Sequence, residues 1–132
     1  MAFQFRYKTV QKIRQNTRDE KRALLGSAMA AEREILESLN HLQEQLDTLR
    51  AERSSRMQAG TLQIHLLRQY AQCETQYLED IQATQNRLIA AQSHTESCLL
   101  ALSEADKSVK QFDKLEEKQK ERYEEEERRK AA

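Results

Sequence analysis

The chain has 132 residues, no proline, no tryptophan and two glycines, and its Lys and Arg equal its Asp and Glu in number. So few breakers and only 5% aromatics exclude a turn-rich β fold and a thick globular core, while the wealth of Gln, Glu, Lys, Arg, Ala and Leu favours helix. No window approaches the ~18 consecutive apolar residues of a membrane span, and Met1-Ala2-Phe3-Gln4-Phe5-Arg6 lacks the apolar run of a secretory signal.

In chain order, helix one is expected from about Gln4 to about Arg53. Its first 22 residues carry Arg6, Lys8, Lys12, Arg14, Arg18, Lys21 and Arg22 against Asp19 and Glu20. A basic end of this kind suits an acidic protein surface, lipid headgroups or nucleic acid. The balanced total argues against nucleic acid. Leu25, Leu39 and Leu46 fall at heptad position a, and Ala28, Ile35, Leu42 and Leu49 at d. Upstream, Val10, Ile13, Thr17 and Leu24 continue a stripe in a shifted register, which predicts a stutter near Glu20 to Gly26. Glu32 at a seam position and Gly26 in mid-helix weaken packing there.

The segment from Ser54 to Gly60 is the expected turn. Gly60 can adopt the left-handed geometry of a helix C-cap, and Thr61 can cap the next N-terminus. Helix two is expected over about 61–130. Leu67, Glu74, Ile81, Leu88, Thr95, Leu102, Val109, Glu116 and Tyr123 form its a positions. Tyr70, Tyr77, Thr84, Ala91, Cys98, Ala105, Phe112 and Gln119 form d, without insertion. A heptad this sustained predicts a left-handed coiled coil. The expected fold is therefore all-α, two long helices in an antiparallel coiled-coil hairpin with helix two overhanging. The competing arrangement is one unbroken helix in a parallel dimer. Beyond Phe112 apolar residues are sparse, and pairs such as Glu117 with Lys120 and Glu124 with Arg128 support a solvated helix. That tail either frays or becomes ordered inside a partner. Cys73 and Cys98, ~37 Å apart along one helix, cannot pair with each other, which fits a reducing compartment.

No catalytic constellation emerges, and neither a cofactor nor a metal is expected. His41, His65 and His94 stand far apart without neighbours at ligand spacing. The two glycines build no phosphate loop, and Glu124-Glu125-Glu126-Glu127 surrounds one exposed helix without shelter to separate acid from base. What remains is apolar surface beyond the seam: Leu24, Met29 and Leu36 on helix one, and Leu66, Leu78, Ile89, Leu99 and Leu100 on helix two. The region nearest the turn is densest, with Leu62, Ile64, Leu66, Leu67, Tyr70, Tyr77 and Leu78. It either seals the hairpin end or docks a partner.

The opening Phe3-Gln4-Phe5-Arg6-Tyr7-Lys8-Thr9-Val10-Gln11-Lys12-Ile13-Arg14 resembles the Phe-x-Phe-x-x-x-x-Val-x-x-Ile/Leu-Arg start of the FliJ family of flagellar export proteins. Ala59-Gly60, Tyr70 and Tyr77-Leu78-Glu79-Asp80-Ile81 resemble that family's central region, and the stretch from Lys114 to Tyr123 its end. The resemblance spans nearly the whole chain. It implies a cytoplasmic, non-enzymatic component of the type III export apparatus, peripheral to the inner membrane and similar to the central stalk of rotary ATPases. It further implies that the joined termini enter the hexameric export ATPase FliI, that the hairpin contacts the cytoplasmic domain of the export-gate protein FlhA, and that export chaperones can be partners. Phe3, Phe5, Arg6, Lys8, Lys12 and Arg14 with Tyr123 would then serve the ATPase end, and Leu49, Tyr70, Tyr77 and Leu78 the second face. The ending Glu127-Arg128-Arg129-Lys130-Ala131-Ala132 departs from the acidic finish of many relatives. The stalk of a virulence-type secretion system, an export chaperone and a structural coil that dimerises end to end are the alternative readings.

Overall fold

The computed structural model describes residues 2–61 and 63–132. Leu62, counted above among the apolar residues near the turn, lies outside them. The fold is all-α: helix α1 (Lys8–Gln58) and helix α2 (Ile64–Ala131) pack against each other as a helical hairpin. Tertiary contacts divide it into two compact units, one of residues 1–27 with 96–132 and one of residues 28–95. Each unit is a pair of antiparallel helical segments.

In the unit of residues 28–95, Leu39, Leu46 and Ile81 form the buried cluster, with Leu42, Leu49, Tyr77 and Leu88 packed around it. These are the a and d residues of the heptads. The seam also admits Thr84 and Thr95, whose hydroxyls donate to the carbonyls of Asp80 (2.7 Å) and Ala91 (3.0 Å) one turn earlier. A hydroxyl satisfied within its own helix can face a seam at little cost. Glu74, at an a position, is held by two cations across the seam. Arg50 Nε lies 2.9 Å and Arg53 Nη2 3.1 Å from its Oε2.

The turn is built by a helix C-cap. Gly60 has φ 69°, where a side chain would be strained. The Thr61 amide donates to the Arg56 carbonyl (3.2 Å) and the Gly60 amide to the Met57 carbonyl (3.2 Å), the two bonds of a Schellman motif. That cap lies further along than the serines suggest, so Ser54 and Ser55 stay helical and α1 runs past Arg53 to Gln58. Thr61 does not cap α2. Its hydroxyl donates back to the Arg56 carbonyl at 3.3 Å, and α2 opens with the Leu67 amide on the Gln63 carbonyl at 2.9 Å.

In the unit holding both termini, Val109 and Phe5 are buried, and Leu102, Ala105 and Phe112 half-buried. Here the α1 reading needs correction. Val10, Ile13 and Leu24 are 37%, 56% and 53% exposed, so they do not form the seam, and Thr17 is only half-buried. The inward positions are Gln11, Arg18, Lys21 and Leu25, which continue the a and d series of Ala28, Ile35 and Leu39 with no stutter. Gln11 is 2% exposed, and its Nε2 donates to Asp113 Oδ1 at 2.9 Å. Arg18 and Lys21 are half-buried, and the Arg18 guanidinium pairs with Asp19 at 3.3 Å, as long cationic side chains do when stem and head lie in different surroundings. A fixed heptad register can thus be carried through polar residues when each finds a partner or solvent. α1 also starts at Lys8 and not at Gln4, because Phe3 and Phe5 leave the helical path to pack on the unit. After Tyr123, every residue of α2 is exposed, and the helix is supported by Arg129 with Glu125 (3.3 Å) and by Arg128 Nε on the Glu124 carbonyl (3.4 Å).

Two stability predictions follow from the seam's two halves. Leu46→Ala removes a buried side chain from the apolar cluster and is expected to cost ~2–5 kcal/mol in urea or thermal unfolding; a loss below about 1 kcal/mol would deny that cluster its role. Gln11 Oε1 is buried without a hydrogen bond. Replacing the side chain by leucine leaves exposed Asp113 to water and is expected to stabilise by about 1 kcal/mol. Destabilisation by Gln11→Leu would show that the Gln11–Asp113 bond outweighs the orphaned oxygen.

Candidate functional site

At the terminal unit, residues before α1 are tied to α2. The Phe3 ring lies 5.6 Å from the Tyr123 ring, tilted by 46°. Phe5 is buried, with the Tyr7 ring edge-on at 5.8 Å. The Arg6 guanidinium stands 5.6 Å from the Tyr7 ring centroid, within cation–π range. Lys8 Nζ pairs with Glu116 Oε2 at 3.3 Å, and the Lys8 amide takes the Phe5 carbonyl at 3.2 Å, closing the turn into the helix. Phe3, Gln4, Phe5, Lys8 and Glu116 line a shallow open recess. Of the seven residues assigned to this end from sequence, Phe3 and Tyr123 are therefore in contact, and Phe5 acts as an anchor. Arg6, Lys8, Lys12 and Arg14 are exposed. The chain thus presents cations on a platform held by aromatic packing.

The second group is less uniform. Leu49 and Tyr77 are half-buried against the apolar cluster and border a shallow recess lined also by His41, Glu44, Gln45, Thr48 and Glu52. Tyr70 is buried, with the Arg56 guanidinium 5.9 Å from its ring centroid. Only Leu78 stands clearly in solvent, at 46% exposure. The tyrosines are therefore chiefly seam residues, and Ile64, Leu67 and Leu78 supply the open apolar surface on this part of α2.

Two constellations escaped the sequence reading. The Arg50 and Arg53 fork on Glu74 could have been found from the carboxylate at position a, which requires a cation across the seam. The Gln11–Asp113 bond was hidden because apolar Val10 and Ile13 beside it offered an alternative stripe. Among the described residues, no group of three or more His, Cys, Asp or Glu could hold a metal ion. His41, His65 and His94 are exposed, as is the run Glu124 to Glu127. No described helix is long and apolar enough to cross a membrane.

The Arg50 and Arg53 hydrogen bonds hold the Glu74 carboxyl below its ordinary range. A depressed folded-state value means that this contribution to stability is present above the unfolded pKa and is lost as pH falls through the folded one. Glu74 is expected to titrate below the ordinary glutamate range in a carboxyl-carbon NMR titration, and Arg50→Gln with Arg53→Gln to move it back up. A Glu74 that is not lowered in the parent chain would refute the fork.

The chain matches the family model described as the flagellar FliJ protein over residues 3–131, from the Phe3 stack to the last turn of α2. No curated protein and no solved structure matches it. The match covers both units, the turn and both surfaces just described, so the chain belongs to the flagellar FliJ family, a family of non-catalytic coiled-coil proteins connected with flagellar export.

Proposed function

We propose that this chain is a stalk-like, non-enzymatic element of the flagellar type III export apparatus. Its terminal unit binds the hexameric export ATPase, and the α2 surface around Leu78 binds the cytoplasmic domain of the export gate. It works at the cytoplasmic side of the inner membrane, held there through its partners. The observation that carries the reading is the joining of the two termini. Phe3 stacks on Tyr123 and Lys8 pairs with Glu116, so a basic segment and the end of α2 form one rigid feature within a family of export proteins.

The mechanism requires no proton transfer or nucleophile. A ligand that binds an assembled ring and not its free subunits shifts the assembly equilibrium towards the ring by mass action. Arg6, Lys8, Lys12 and Arg14 provide the charge that draws this end to an acidic surface, and the aromatic anchor keeps them in place. Contact with chaperones is compatible with the same surfaces and adds nothing to the ring mechanism.

The test is the rate of the cognate export ATPase across enzyme concentrations, with and without this protein, alongside the hexamer fraction by light scattering. Stimulation is expected at low enzyme concentration and should vanish where the ring already forms alone. Arg6→Glu with Lys8→Glu and Lys12→Glu is expected to raise the half-stimulating concentration about tenfold or more. An unchanged rate with a folded protein would exclude the stalk, and an unchanged triple variant would exclude the basic end as its contact.

A further inference from the structure

Within the unit of residues 28–95, one face of α2 beside the seam carries Ile64, Leu67 and Leu78 at 83%, 44% and 46% exposure. Leu67 and Leu78 are eleven residues apart, about three helical turns, so they share a side of the helix. Between them on that side lie two small residues, Ala71 and Thr75, which with Arg68, Gln72, Gln76 and Glu79 line a shallow groove beside the leucines. The Thr75 hydroxyl already donates to the Ala71 carbonyl at 3.0 Å, so covering it leaves no donor stranded. Leu67, Ala71, Thr75 and Leu78 thus form a narrow, low strip, with the polar side of the groove next to it.

The border of the groove says what packs on that strip. Arg68 and Glu79 line it on one side of the Leu67–Leu78 strip, are both exposed, and belong to none of the described ion pairs. They too are eleven residues apart, or roughly 16 Å along the axis, too far to pair with each other. If a second α2 lies antiparallel along this strip, with a two-fold axis between Ala71 and Thr75, the leucines, the small residues and the charges each find a match, and Ile64 lies beside Gln82. Leu67 of one copy meets Leu78 of the other, the small residues face each other at the centre, and Arg68 comes beside the other copy's Glu79 twice. Residues on one flank of a helix meet the same flank of an antiparallel partner, which is the condition this pairing needs. Opposite charges placed symmetrically about a small-residue centre make the face complementary to itself.

We propose that this face of α2 is a self-association site, through which two copies of the chain pair side by side. The contact spans one helix for roughly 27 Å (Ile64 to Gln82), well below a standard interface. A contact of that size belongs with weak, transient encounters, so pairing follows local concentration. It covers Leu78, so self-association competes with any use of that residue towards a different protein.

Sedimentation equilibrium of the full chain up to millimolar concentration tests this without any other component. The mass is expected to rise from that of one chain towards two. Leu78→Lys is expected to abolish the rise with the helical circular dichroism unchanged, and Ile13→Lys in the other unit to leave it intact. Arg68→Glu is expected to weaken the dimer several-fold, and Arg68→Glu combined with Glu79→Arg to restore it. A chain that stays monomeric throughout overturns the proposal. So does a dimer insensitive to Leu78→Lys, or a double charge swap no better than Arg68→Glu alone. None of these results bears on ATPase stimulation, so the two readings stand or fall separately.

Discussion

The apolar seam around Leu39, Leu46 and Ile81 is the contact on which the rest depends. Two helices side by side have no interior beyond their shared line, so every buried side chain must come from an a or d position or reach over from beside it. Burying a leucine contributes on the order of 2 kcal/mol. A thin seam therefore needs its few apolar members in consecutive layers. Leu42, Leu49, Tyr77 and Leu88 complete those layers, and Arg50 and Arg53 neutralise the Glu74 carboxylate beside them. Because so little is buried, the remaining surface stays open for binding, with only shallow recesses on it.

The two units use that plan differently. Residues 28–95 close on aliphatic and aromatic layers. The unit with the termini turns Gln11, Arg18 and Lys21 inward on α1 and Val109 and Phe112 inward on α2, and Gln11 bonds to the carboxylate of Asp113. A buried polar contact fixes register at a cost in stability. It also leaves Val10, Ile13 and Leu24 outside, where they are surface and not core. Aromatic packing of Phe3 and Phe5 supplies part of what the polar seam lacks.

The α2 register was legible residue by residue, because its heptads run unbroken and the burial follows them from Tyr70 to Tyr123. The first turns of α1 were not. Apolar side chains and inward positions normally coincide, and here a hydrogen bond between Gln11 and Asp113 separated them. Gly60, singled out for its backbone freedom, has φ 69°, whereas the serines before it stay within a helix that runs on to Gln58. At the candidate surfaces, the resemblance pointed only to stretches of chain. It could not tell that Phe5 and Tyr70 face inward, since an aromatic residue serves equally as anchor or as contact.

The closure at Gly60 also orders the chain in time. Interhelical pairs lie ever further apart in sequence with distance from that residue: Arg53 and Glu74 are 21 positions apart, Gln11 and Asp113 102. Forming the distant pair first would close a long loop against its full entropy, whereas each pair formed outward from the turn inherits ends already brought close. Zipping from the apolar layers towards the polar ones is thus the order of least loop-closure cost, and the Phe3–Tyr123 contact closes the longest loop of those described.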